Sequence, residues 1–252
     1  MNDGFLLLPP SYLITLVLHK LVKGSSGSWE DVNEEMFIKL VDQVAPFCSM
    51  TEIHKPCANG WNLTFDDGNL SDYDIAFPIL HERRVSATFF VIVDKVGQKG
   101  FLSWRQIIEM NKNGMNFGSH SLTHQSMVKL SKNEMMDEFI KSKRLLEDKL
   151  GTEITSFSYP FGEHSRDINR FCFDAGYQFS FTSNHGVTGC NPALIPRNSI
   201  NSHSRWDDVI SVLYPTISTR LRWVLEDSTK ELLKTIIGRK RYIYLRDKLL
   251  HG

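Results

Sequence analysis

Short apolar runs recur along the chain at 13–19, 62–65, 87–93, 115–118, 154–158, 177–182 and 194–196. They are rich in Val, Ile, Leu and Phe, and their brevity predicts strands buried on both faces. Segments of helical period lie between them. The clearest is "SKNEMMDEFIKSKRLLEDKLG", where Ser131 and Glu134 form a capping box and Gly151 sits where a C-cap belongs. Met136, Phe139, Ile140 and Leu146 are expected on its buried face. The stretches 103–114 and 166–176 have the same shape, each ending in glycine before a strand. Strands alternating with helices imply parallel βα units. Their number points to a barrel-like α/β fold, in which the C-terminal strand ends and the following loops build the site.

Composition changes this picture little. The 252 residues are 41% hydrophobic and 23% charged, as in a globular domain. Lys+Arg and Asp+Glu are 29 each, so no global charge attracts nucleic acid. Cys48, Cys57, Cys172 and Cys190 contain no C-x-x-C pair, and reduced thiols are expected. Cys48, His54 and Cys57 are close in sequence, but their spacing matches no familiar zinc module. The N-terminal "FLLLPPSYLITLVLHKLV" carries no leading Lys or Arg and is broken by Pro9 and Pro10. It reads as a buried strand rather than an export signal, so the expected compartment is the cytoplasm.

Two stretches carry chemistry. In "LTFDDGNL" (63–70), adjacent carboxylates follow a strand directly. Asp-Gly is a common turn pair. Alternatively, one carboxylate holds a metal while its neighbour moves protons. In "FGSHSLTH" (117–124), His120 and His124 are four apart, and on a helical turn both imidazoles would face one side. One carboxylate with two imidazoles leaves a coordination position open, the pattern of catalytic zinc. Such a metal lowers the pKa of bound water towards roughly 7, and the second carboxylate then has a use as general base.

These stretches, with "ATFFVI" (87–92), "LSWRQIIEM" (102–110) and "FSYPFG" (157–162), resemble the polysaccharide deacetylases of the NodB-homology type over about residues 12–200. The resemblance implies a distorted (β/α)7 barrel, with Asp66 as general base and Asp67, His120 and His124 as ligands of one divalent metal. Zinc is the expected ion, and cobalt, nickel and iron suit the same donors. The loop of Tyr159, Pro160 and Phe161 is expected to hold the oxyanion through the Phe161 N–H. Two departures stand out. Ser158 occupies a position where many members have arginine, and no L-x-H motif follows Leu194. "LVLH" (16–19) has that motif's form at the other end of the chain, which resembles the circularly permuted poly-N-acetylglucosamine deacetylase branch. His19 is then expected to be the general acid. Arg197, in "LIPRNSI" (194–200), is expected to balance Asp66.

The implied domain covers 12–203, and the implied reaction is removal of N-acetyl groups from an amino-sugar glycan. A sugar O-acetyl esterase and an inactive carbohydrate-binding protein are the alternatives. Surface placement is expected for His54, His81, His164 and His251, and His185 is a candidate for substrate contact. Residues 204–252 form a helical extension outside the resemblance. From Ser228 to Gly252 it carries seven Lys/Arg against two acids. Packing on the barrel and peripheral contact with an inner membrane face through 228–252 are both open readings. Oligomeric state has no signal in the sequence.

Overall fold

The structure, a computed structural model, describes residues 12–25, 27–47, 60–188, 193–238, 241, 242 and 245. The Cys48, His54 and Cys57 group lies outside them, as does His251. Among the described residues there are ten strands: β1 (Leu13–Leu18), β2 (Lys20–Val22), β3 (Asp31–Asn33), β4 (Gly60–Phe65), β5 (Thr88–Val91), β6 (Asn116–Ser119), β7 (Ser156–Ser158), β8 (Phe179–Phe181), β9 (Leu194–Ile195) and β10 (Asn198–Ser199). Seven helices accompany them: α1 (Glu34–Val44), α2 (Phe77–Glu82), α3 (Trp104–Lys112), α4 (Lys132–Leu150), α5 (Arg166–Asp174), α6 (Trp206–Leu213) and α7 (Ile217–Ile237).

Eight strands form one parallel sheet in the order β10-β1-β4-β5-β6-β7-β8-β9. Its edge strands, β9 and β10, are separated in the chain only by Pro196 and Arg197. The sheet therefore curls until one short segment serves both edges, and these halves together occupy the place of the seventh expected strand. The expected (β/α)7 barrel is thus present in distorted form. β2 and β3 form a separate parallel pair that the apolar pattern did not reveal, being short and only partly apolar.

Local chemistry explains the helix boundaries. Ser103 with Gln106 and Ser131 with Glu134 form reciprocal capping boxes at the starts of α3 and α4. Gly151 ends α4 at φ 68°, a conformation costly for any residue with a Cβ. The buried face of α4 runs through Met135, Glu138, Phe139, Ser142 and Leu146. Met136 and Ile140 sit at its margin, because Glu138 is drawn inward by partners described below and Ser142 by the Ser119 hydroxyl at 2.8 Å.

Alternate strand residues face opposite sides of the sheet. Phe65, Phe89 and Val91 join the large core between sheet and helices, whereas Phe90, Phe179, Phe181 and Ile195 form a smaller cluster on the other face. That second cluster plugs the barrel interior. Phe90 reaches it across Gly118, where a Cβ would lie 2.4 Å from the Phe90 ring. The register aligns strand ends: Leu18 pairs with Phe65, Ser119 with Phe157, Ser158 with Phe181, and Phe181 with Ile195. Residues just beyond these ends collect on one rim.

Candidate active site

Asp66 and Asp67 leave β4 at this rim, and His19 leaves β1 beside them, with the Asp66 N–H donating to the Leu18 carbonyl at 3.0 Å. Asp67 and Gly68 both take left-handed backbones, φ 78° and 75°. A Cβ at Gly68 would stand 2.8 Å from a Val91 methyl, so the turn tolerates no side chain there. Among the described non-glycine residues, Asp67, Ser121, His124 and Phe161 have positive φ, and Arg84 is the one such residue away from the rim. Strained backbone concentrates where side chains must be aimed against local preference.

Asp67, His120 and His124 converge. Their ligand atoms lie within 4.8 Å of one another. Asp67 Oδ1 is 3.5 Å from His120 Nε2 and 3.6 Å from His124 Nε2. No helical turn achieves this. Residues 120–124 form a loop, and left-handed Ser121 and His124 fold it so that the two imidazoles meet, ring centroids 4.9 Å apart. Glu138 of α4 grips that loop, accepting the Leu122 and Thr123 N–H groups at 2.9 Å and the Thr123 hydroxyl at 2.5 Å. The His120 Nδ1 edge donates to the Ser158 carbonyl at 2.9 Å, which turns Nε2 towards Asp67. Burial, then the neighbouring His120, hold the His124 pKa down to about 4, so its imidazole is neutral near pH 7. A carboxylate and two imidazole nitrogens aimed at one point fit a divalent metal ion.

Asp66 has a different setting. Burial alone would raise its pKa, but Arg197 and, less strongly, His120 hold the carboxyl well below the usual range. Arg197 grips both its oxygens at 2.7 Å and also donates to Ser158 Oγ at 2.8 Å and to the Thr182 carbonyl at 3.0 Å. The Ser158 hydroxyl donates onward to Asp66 at 3.1 Å. Ser158 is small enough to admit a guanidinium arriving from the split strand, whose carbon lies 5.5 Å from the Phe90 ring centroid above the apolar plug. Below the site, Asp72 is fully buried, and burial, then Asp67 and Asp66, raise its pKa well above the carboxylate norm.

Asp66, Asp67, His120 and His124 line a cleft of about 370 Å³ with His19, Trp29, Tyr159, Phe161, His185 and Asn201. Phe161 packs over His124 with ring centroids 4.7 Å apart. Pro160 starts the tight turn that gives Phe161 its positive φ. The Tyr159 side chain is wholly buried against Phe157 and His164, so it shapes the loop from beneath. His164 is correspondingly half-buried rather than on the surface, and burial lowers its pKa, whereas His81 is exposed.

Helix α7 closes one side of the cleft. Asp227 accepts the His185 N–H at 2.8 Å and contacts its ring Nδ1 at 3.0 Å, while Trp223 stacks on the same ring. Lys234 pairs with buried Glu163 at 3.3 Å, and Lys230, Lys234 and Tyr242 face the cleft. Sequence patterns singled out none of Glu138, Asp227 or Lys234, which belong to no short motif. The position of Glu138 on the buried face of an amphipathic helix was the one available signal.

Comparison with known proteins places this geometry. Residues 54–180 match the family model described as polysaccharide deacetylase, half of the chain. The chain belongs to the polysaccharide deacetylase family. It is 30% identical over 138 residues to YxkH of Bacillus subtilis, whose name places it in the same family, covering 55% of this chain and 50% of that protein. It is 28% identical over 173 residues to the poly-beta-1,6-N-acetyl-D-glucosamine N-deacetylase of Staphylococcus epidermidis, covering 63% and 58%. The chain thus spans little more than half the length of the curated relatives it matches. The deacetylase PplD of Streptococcus pyogenes, solved with acetate, superposes with a TM-score of 0.74 at 21% identity over 82% of this chain and 100% of that one. That likeness is one of fold. Named relatives of this chain include the circularly permuted poly-N-acetylglucosamine type, in keeping with β1 standing between β10 and β4.

Proposed function

We propose that the protein is a metal-dependent hydrolase that removes N-acetyl groups from an amino-sugar glycan and releases acetate. The observation that carries this reading is the convergence of Asp67, His120 and His124 beside an arginine-paired Asp66 in one cleft. In this proposal 12–203 is the catalytic unit and 204–252 an extension that walls its cleft.

Asp67, His120 and His124 would hold the metal, with zinc the best match to the donors. When bound, the ion supplies a Lewis acid for the acetyl carbonyl and acidifies water. Asp66 would orient the attacking water and accept its proton as the oxygen attacks the carbonyl carbon, the residue's own role whichever ion is held. Arg197 keeps Asp66 ionised before attack, and the pair's bidentate geometry leaves the carboxylate little freedom to turn away. The backbone N–H of Phe161 stabilises the oxyanion. His19 then protonates the amine nitrogen as the carbon–nitrogen bond breaks. Peripheral contact with a membrane is consistent with the cleft's position against α7.

The test is acetate release from N-acetylated and O-acetylated sugars by zinc- or cobalt-loaded protein, with Asp67→Asn as blank. Release from an N-acetyl sugar that collapses in His19→Ala supports the assignment. Faster turnover of esters, indifferent to His19→Ala, would make it a sugar O-acetyl esterase.

A further inference from the structure

Helix α7 has its polarity reversed. An amphipathic helix on a globular domain normally turns its apolar stripe to the core. Here the inward residues are Thr219, Trp223, Asp227, Lys230 and Lys234, set by the ion pairs and cleft lining described above. The opposite face carries Ile217, Leu221, Val224, Leu225, Leu232 and Ile236, each more than half exposed. At a period of 3.6 residues, Ser228 and Thr235 complete that face, while Arg220, Arg222, Glu226 and Glu231 fall along its borders. An uncharged apolar stripe about 30 Å long is far more than the scattered apolar side chains of an ordinary surface.

Two further observations bear on what covers it. No helix among the described residues is long and apolar enough to cross a membrane, so α7 can lie on a bilayer but not span one. The sequence directly after α7, 239–248, carries Arg239, Lys240, Arg241, Arg246 and Lys248 against Asp247 alone, in a chain whose total charge balances to zero. An apolar helix face followed by concentrated positive charge matches the chemistry of an anionic lipid surface, which takes apolar side chains at the acyl boundary and cations at the headgroups.

We propose that the outer face of α7 docks the protein on an anionic lipid bilayer, with the helix lying in the interface. Because its inner face walls the cleft, docking holds the cleft mouth beside the membrane. This holds whichever acyl group the site removes.

Sedimentation of the full chain with vesicles tests it. Vesicles of equal parts phosphatidylcholine and phosphatidylglycerol are compared with pure phosphatidylcholine at physiological salt, using the parent protein and a double variant, Leu225→Glu with Leu232→Glu. Both leucines point outward, so an unchanged melting temperature shows that the variant folds. The parent is expected to bind anionic vesicles at least tenfold more tightly than neutral ones, and the variant to lose that binding. Absent or equal binding to both vesicles overturns the proposal, as does undiminished binding by the variant. So does a dimer, seen by light scattering, that the double variant dissociates while the parent ignores vesicles; the face would then belong to a second copy.

Discussion

Asp66 and Arg197 meet inside the barrel with side chains 4% and 0% exposed, and each nitrogen of the guanidinium has a hydrogen-bond acceptor. Across the cleft, α7 holds its wall through His185 with Asp227, both about a fifth exposed. Similar charges are paired in both places, yet the consequences differ. An ion pair in an apolar interior tolerates no unmatched partner, whereas one near solvent can exchange its partner for water at small cost. Reaction chemistry is thus placed on the wall that cannot relax. The wall that shapes access to it can loosen without loss of the fold.

The inner wall should break first. Arg197→Met leaves a buried carboxylate unpaired and is expected to cost about 3–5 kcal/mol, measured as a lowered urea midpoint. Asp66→Asn should lower turnover by roughly 10²–10⁴ while bound zinc, measured by elemental analysis, stays at the parent level. If zinc were lost as well, Asp66 would be a ligand rather than the base.

The ligand loop comes next. Glu138→Gln weakens the grip on Leu122 and Thr123 and should reduce zinc affinity about tenfold, as outer-layer substitutions at metal sites do. Competition with a chromogenic chelator reads this directly. For metal-free protein, His124 provides a pH signature. Its folded pKa of about 4 lies below the unfolded value near 6.5, so the unfolded state takes up a proton first. Stability should be fully present above about pH 6.5 and fall by up to roughly 3 kcal/mol as pH drops towards 4. A melting temperature flat across that window would contradict a neutral, half-buried His124.

The outer wall should show the smallest effect. Asp227→Asn weakens a partly exposed pair worth about 1 kcal/mol, so KM should rise up to roughly fivefold with kcat little changed. A fall in kcat comparable to that of Asp66→Asn would mean that α7 takes part in the chemistry, and the contrast between the two walls would collapse.

Much of the inner wall was legible in the chain itself. "FDDG" and "YPFG" are short because a tight turn after a strand needs particular backbone freedoms at particular positions, and such needs are local. The His120–His124 spacing also pointed to a pair, but through the wrong geometry. Two left-handed residues, Ser121 and His124, replaced the expected helical turn, and backbone sign is not written in spacing. The polar inner residues of α4 and the inward-facing ions of α7 were illegible because their partners lie on other elements.

Periodicity, caps and turn residues determined the alternating strands and helices, and with them the end of the barrel that would carry chemistry. These features depend on neighbours a few residues apart, which any window of sequence contains. The resemblance already set Arg197 against Asp66, but only the curled sheet decided that it would fill the space left by Ser158 and clasp both carboxylate oxygens across 131 residues. Only the packed structure decided that α7 would turn its ions inward and its leucines out. Such contacts are chosen by which surfaces the fold brings together, and by the cost of leaving a charge unpaired there.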